Sequence, residues 1–148
     1  MIELRPLDAS NMEACRNLKV SEKQADFIAS NDKSITDAAA NAKVARPFAI
    51  YADRVVVGFT MFAFEPDYED PDDRYWLWRF MIDEKLQGKG YGIAALNVII
   101  QYFKDHRANN IRLSTKETNT KALSLYHKVG FHDTGEMNGD EIVLQLDF

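Results

Sequence analysis

The stretch from Tyr75 to Gly92 constrains the fold more than any other part of the chain. Tyr75-Trp76-Leu77-Trp78-Arg79-Phe80-Met81-Ile82 is rich in aromatic and apolar residues and suits a buried strand. It leads into Gly88-Lys89-Gly90-Tyr91-Gly92, after which Ile93, Leu96, Ile99, Ile100 and Phe103 recur at helical spacing. Backbone N–H groups in such a turn converge on one spot, and the helix N-terminus adds positive potential. Glycine lets an anion come close to the backbone, and Lys89 adds a mobile cation. These residues predict an anion cradle suited to a pyrophosphate, although a plain strand-to-helix connection without a ligand uses the same glycines. The missing Gly-Lys-Ser/Thr excludes a P-loop. The alternation of Gly88, Gly90 and Gly92 excludes the dinucleotide fingerprint.

The remaining elements fall around this segment. Ile2 to Leu7 alternates as a strand. Ser10 or Asn11 can cap a helix with Met12, Cys15 and Leu18 on one face. A second short helix is expected from Glu22 to Ala29, ended by Asn31 and Asp32. Ser34 is expected to cap a third helix, Ile35 to Lys43. Phe48–Tyr51 and Val55–Phe64 read as a hairpin across Asp53-Arg54, with Gly58 at a bulge. Ile111–Ser114 reads as a strand and Asn119–Val129 as a helix, with Gly130 its terminator. Phe131–Met137 and Glu141–Leu146 pair across Asn138-Gly139. This order predicts an α/β (α+β) fold with a mixed, mainly antiparallel sheet of about seven strands flanked by helices.

The chain has 148 residues, enough for a single domain over 1–148. Its 18 basic and 23 acidic residues give a net charge of -5, which argues against nucleic acid as a partner. The excess is local: Glu65, Asp67, Glu69, Asp70, Asp72 and Asp73 crowd one loop, and the remaining charge nearly balances. No apolar run suggests a membrane partner, and no signal-peptide pattern opens the sequence. Cys15 is the only cysteine, so no internal disulfide is expected, and the expected compartment is cytoplasmic. His106, His127 and His132 lack metal-ligand spacing, so no metal is expected.

A second constellation lies downstream: Asn119, Ala122, Tyr126, Gly130 and Phe131. With Gln87, Gly90 and Gly92, and one helix and one strand between the two groups, the chain resembles the GNAT N-acetyltransferase superfamily. The resemblance covers about Phe48 to the C-terminus. Within that superfamily the chain looks most like the small bacterial spermine/spermidine acetyltransferases. The closer likeness rests on Val20-Ser21-Glu22-Lys23-Gln24, Phe27-Ile28-Ala29, Ser34-Ile35, Val57-Gly58-Phe59 and Trp76-Leu77-Trp78-Arg79-Phe80.

The resemblance implies a GNAT-like fold splayed at the strand 75–82, with acetyl-CoA as cosubstrate. Its pyrophosphate would lie on Gln87, Gly88, Lys89, Gly90, Tyr91 and Gly92. Its pantetheine arm would pair with the backbone of Met81 and Ile82, and Asn119 would bond to that region. Tyr126 would protonate the leaving thiolate, although its helical spacing equally suits an ordinary core aromatic. The acceptor would be a primary amine of a polyamine, attacking directly in a ternary complex. Another amine, or a non-catalytic acyl-CoA-binding role, is the alternative. Glu65, Glu69, Asp70, Asp72 and Asp73 would attract such a polycation, with Glu22 and Trp78 also on the acceptor side. Several amine-acetylating relatives carry an acid four residues before Ile82, where this chain has Trp78. Glu117, Glu65 and Glu22 are the candidates for the base, and all three suit a solvated surface as well. A dimer is the assembly the resemblance implies.

Overall fold

The computed structural model describes residues 1–20 and 30–148. The expected helix at Glu22–Ala29, and Glu22 itself, lie outside the described residues. The elements run β1 (Ile2–Pro6), α1 (Met12–Arg16), α2 (Asn31–Ala40), β2 (Ala45–Ala52), β3 (Val55–Phe64) and β4 (Tyr75–Ile82). They continue with α3 (Tyr91–Asp105), β5 (Asn110–Thr115), α4 (Thr120–Lys128), β6 (His132–Asn138) and β7 (Glu141–Asp147). Among the described residues, no helix is long and apolar enough to cross a membrane.

The strands form one seven-stranded sheet in the order β1-β2-β3-β4-β5-β7-β6. Every neighbouring pair is antiparallel except β4 and β5. The mixed sheet expected from the sequence is present, and each face carries its own core. On one face Leu96, Ile99 and Phe103 of α3 and Tyr126 of α4 pack on Phe62, Leu77, Leu113 and Leu144. On the other, Cys15 of α1 and Ile35 and Ala38 of α2 pack on Phe59, Met61 and Met81.

Leu77 and Met81 are both odd-numbered residues of β4, yet they belong to opposite faces. The cause is a β-bulge. Met61 pairs with Arg79 and Phe62 with Leu77, so Trp78 is an extra residue on β4. An extra residue reverses the alternation beyond it and bends the strand. A second irregularity lies in β3, where Ile50 pairs with Gly58 and Tyr51 with Val56. The bulge expected at Gly58 is therefore present, with Val57 the unpaired residue. Gly58 has a further constraint: a Cβ there would collide with the Met81 carbonyl oxygen, so only glycine lets β3 and β4 approach this closely.

Three local expectations need correction. The third predicted helix starts four residues earlier than Ser34 implied. Ser30 is its cap, accepting from the Lys33 N–H at 3.1 Å, and Asn31 and Asp32 form its first turn. These residues disfavour helix interiors but suit first turns, where the N–H groups lack intrahelical partners. Asn11 stands at the α1 N-cap without a side-chain cap bond. Its side chain instead accepts from the Asp8 N–H and donates to the Pro6 carbonyl, fixing the turn after β1. The last hairpin turns at Gly139-Asp140, because Asn138 still pairs with Glu141. Gly139, with φ 62°, supplies the left-handed residue.

Candidate active site

β4 and β5 share one register pair, Trp76 with Arg112, and then diverge. The Trp78 bulge lies two residues past that pair, where it bends β4 away from its neighbour. The resulting cleft of about 920 Å³ passes through the sheet. One mouth opens on the α3 and α4 face. The other opens on the α1 and α2 face.

The first mouth is built by the glycine turn and two helix starts. Gly88 and Gly90 have φ of 80° and 84°, and a Cβ on either would meet no atom within 4 Å. They are needed for the left-handed backbone, and their surroundings are open. Gly90 is the N-cap of α3 with no side-chain cap, and the first turn of this 15-residue helix carries no acid. Its terminal N–H groups are thus available to an anion. Gly92 differs: its Cβ position lies 3.4 Å from Leu125 Cδ2, an ordinary contact distance, so this position faces α4 rather than the open turn. Gln87 ties the turn to the strand, donating through Nε2 to the Ile82 carbonyl at 3.0 Å and accepting from Lys121 Nζ at 2.9 Å.

Strand alternation decides which amides face the gap. The Asp83 N–H donates to the Val57 carbonyl at 2.8 Å, and Met81 pairs with Phe59. In an antiparallel ladder, alternate residues turn their backbone groups to opposite neighbours. The Met81 N–H is therefore directed at β3, and the Ile82 N–H at the cleft. Both residues line it.

Asn119 precedes α4, is 6% exposed, and donates to Thr115 Oγ1 at 3.2 Å. Seven residues later Tyr126 is buried against Phe131, with ring centroids 5.8 Å apart. Gly130, φ 108°, lets the chain reverse so that the Phe131 N–H reaches the Tyr126 carbonyl at 3.1 Å. Burial pushes the Tyr126 phenol well above its ordinary value. Both Asn119 and Tyr126 line the cleft, as do Met81, Ile82, Gln87, Gly88, Gly90 and Gly92. Lys89 and Tyr91 are not part of the lining, and Lys89 is exposed.

The second mouth holds Trp76, Trp78, Arg79, Glu65, Ser114 and Glu141. The Arg79 guanidinium stands 5.0 Å over the Trp78 ring and contacts Asp37 of α2 at 3.3 Å. Burial lowers its pKa, against the pull of the Asp37 and Glu141 charges. Ser114 Oγ donates to Glu141 Oε1 at 2.9 Å and accepts from Asn138 Nδ2 at 3.3 Å.

The acidic loop is only partly at this mouth. Glu65 and Trp78 line the cleft; Glu69, Asp70, Asp72 and Asp73 do not. Asp70 accepts from the Asp72 N–H at 3.0 Å, capping a short 3₁₀ turn. Asp73 and Asp72 contact Arg112 at 3.0 and 4.0 Å. Glu117 is exposed and outside the lining. Sequence reasoning missed Arg79, Ser114 and Glu141. Glu141 directly follows the last hairpin turn, so the β5–β7 register would have placed it beside Ser114.

The acetyltransferase (GNAT) family model matches residues 12–131. A spermine/spermidine N(1)-acetyltransferase of Bacillus subtilis (strain 168) is 33% identical over 149 residues, covering 97% of each chain. Among solved structures, spermidine N-acetyltransferase from Vibrio cholerae in complex with CoA and spermine superposes with a TM-score of 0.73 at 21% identity. That alignment covers 99% of this chain and 95% of the other. An aminoglycoside acetyltransferase in complex with coenzyme A reaches a TM-score of 0.79 at 13% identity, over 99% and 95% of the two chains. These two likenesses carry the fold, while the family model and the full-length relative carry the membership: the chain belongs to the GNAT acetyltransferase family and is an N-acetyltransferase.

Proposed function

We propose that this enzyme transfers the acetyl group of acetyl-CoA to a primary amine of a polyamine such as spermine or spermidine. The observation that carries the reading is the through-sheet cleft. An uncapped helix start and two left-handed glycines stand at one mouth, and carboxylates and indoles at the other. The full-length similarity to a spermine/spermidine N(1)-acetyltransferase supports the polyamine as acceptor.

In this reading the two substrates meet from opposite faces. The pyrophosphate rests on the α3 N-terminus and the amides of the Gln87–Gly92 turn. The pantetheine arm lies between β4 and β5, extending the ladder that the splay leaves open, with Ile82 and Asn119 as its polar partners. The thioester carbonyl then lies by the Ile82 N–H, a donor for the developing oxyanion. The amine enters past Trp78 and attacks the carbonyl carbon directly in a ternary complex. The C–S bond breaks, and Tyr126, kept protonated by its burial, supplies the proton to the thiolate. The buried Cys15 thiol, pushed up to about 11, lies in the α1 and α2 core away from the cleft lining and takes no part as a nucleophile.

The acidic excess of the 65–73 loop suits a polycation and disfavours nucleic acid. A cytoplasmic dimer acting on a small cation is the setting this reading implies. The test is free-thiol release from acetyl-CoA with spermine, spermidine, putrescine, lysine peptides and aminoglycosides. Turnover that favours spermine and spermidine is expected. Turnover confined to aminoglycosides or to peptides would overturn the polyamine reading.

A further inference from the structure

A primary amine with pKa near ~10.4 is only about one part in a thousand neutral at pH 7.4, which costs roughly 4 kcal/mol before it can attack. A base that takes the proton relieves this cost. The side chain four residues before Ile82 is an indole, so β4 supplies no carboxylate there. The second mouth supplies two. Glu65 is exposed beyond β3. Glu141, at the start of β7, is half-buried and held by Ser114 Oγ at 2.9 Å.

The sheet register gives Glu141 its aim. Ser114 pairs with Val143, so Glu141 is the diagonal neighbour of Ser114 on the same face of the sheet. That face also carries Arg112, which contacts Asp73 of the acidic loop. It is opposite the face of Leu113 and Leu144, which pack with Tyr126. Glu141 and Tyr126 thus line one cleft from the two sides of the sheet. This is the arrangement that acetyl transfer needs: a proton acceptor on the amine side and a proton donor on the thiolate side. The Ser114 bond holds Oε1, and no described residue hydrogen-bonds Oε2. Arg79 on β4 is the cation whose charge Glu141 feels, and the Lys116–Asp140 pair at 3.9 Å adjoins the start of β7. Glu65 beyond β3 and Lys121 on α4, the latter bonded to Gln87, line the same cleft.

Resting on the reading above, we infer that Glu141 receives the incoming ammonium and takes its proton. The N–H proton passes to the Glu141 carboxylate, directly or across one water. The freed lone pair forms the C–N bond, the C–S bond breaks, and the thiolate takes a proton from Tyr126. The second N–H proton, shed as the amide forms, restores the Tyr126 phenol across water, and Glu141 releases the first to solvent. Ser114 is a positioning residue that holds the carboxylate toward the cleft.

The experiment compares wild type with Glu141→Gln, which retains an oxygen to accept from Ser114. Each is assayed from about pH 6 to about pH 10 with whichever panel amine the wild type acetylates best. At pH 7 we expect kcat/KM to fall by roughly a hundredfold or more. The gap should close to a few-fold near pH 10, where a sizeable fraction of the amine is already neutral. The CoA-induced rise in melting temperature should not change. An undiminished rate at pH 7, or a loss of the same size at every pH, would overturn the role. If Glu141→Gln loses the CoA response through misfolding, Ser114→Ala is read instead. It should lower kcat by several-fold and keep the wild-type pH profile, and no change in kcat would overturn the role. A wild type that acetylates amino sugars but not spermine removes the polyamine reading and leaves Glu141 to be judged by the pH profile.

Discussion

Trp76 and Arg112 form the one register pair between β4 and β5, so the hinge of the splay coincides with a buried charge. The Arg112 side chain is 7% exposed and donates to Gln145 Oε1 at 2.7 Å, to Asp73 at 3.0 Å and to Glu136 at 2.8 Å. The same loop is held again where Asn110 Nδ2 donates to the Asp72 carbonyl at 3.0 Å and Trp76 Nε1 to that of Asp73 at 3.1 Å. Strand pairing, loop and hairpin edge are fastened at one point, beyond which the sheet is free to open.

Arg112→Met should therefore loosen the closed end of the cleft. Removing one partner of a fully buried pair costs about 3–5 kcal/mol. Here Asp73 and Glu136 are 34% and 57% exposed and can rehydrate, so a loss of ~1–3 kcal/mol is expected. Urea unfolding measures it. KM for acetyl-CoA should rise as well, because the spacing of β4 and β5 is set here. Arg112→Lys should fall between, having the charge without the planar fork.

The glycine turn makes a separate prediction. CoA should stabilise the wild-type fold by about 2.7 kcal/mol at a hundredfold excess over Kd. Gly90→Ala should lower stability by ~1 kcal/mol, since any side chain is strained at a φ of 84°, and should weaken the CoA response. Gly90→Glu adds a like charge at the cradle and should abolish that response. Melting curves with and without CoA separate strain from charge. A wild type without a shift at millimolar CoA would count against the anion cradle.

Tyr126→Phe should keep the fold and CoA binding, because the ring still packs on Phe131. Turnover should fall by roughly ten- to a thousandfold. A raised phenol pKa keeps the acid form through the ordinary range and beyond ~10. The wild type should thus show no alkaline loss of kcat from Tyr126 below about pH 10. Pre-steady-state bursts must accompany the rates, so that slow product release does not hide the chemical step.

The legible parts of the molecule were those with local causes. Aromatic and apolar richness gave the bounds of β4, the hairpin pattern across Asp53-Arg54 gave those of β3, and glycine spacing gave the turn that lines the cleft. The helix pattern placed Asn119 and Tyr126 on one element. What depended on distant partners was harder to read. Ser30 and Ser34 are equally good caps locally, and the choice falls to the buried face of α2, which includes Ile35 and Ala38. The reversal of β4 at Trp78 depends on pairing with Met61 and Phe62. Glu141 enters the cleft only through its register beside β5. The acidic loop was legible as charge, yet its anchoring to Arg112 was not, because the two lie about forty positions apart.

That anchoring sharpens what the loop can do for a polycation. Asp70 and Asp73 hold the loop's shape through the 3₁₀ cap and the Arg112 pair, so neutralising them would mix structure with charge. Asp67 and Glu69 are exposed, and they offer the cleaner test. Exposed charges are screened beyond ~8 Å at physiological salt, so their effect should fall on capture rather than on chemistry. Asp67→Asn with Glu69→Gln should raise KM for spermine by a few-fold at low ionic strength and leave kcat nearly unchanged. KM for a monoamine should move less, since it carries no spare cation to be attracted. Added salt should bring wild type to the level of the variant and change the variant little. Neutralising Asp72 and Asp73 as well should raise KM further and also lower the melting temperature, separating the anchoring from the attraction. Equal spermine KM in wild type and the exposed-pair variant at low salt would confine the loop to bracing the splay, and the polyamine reading would then rest on sequence similarity alone.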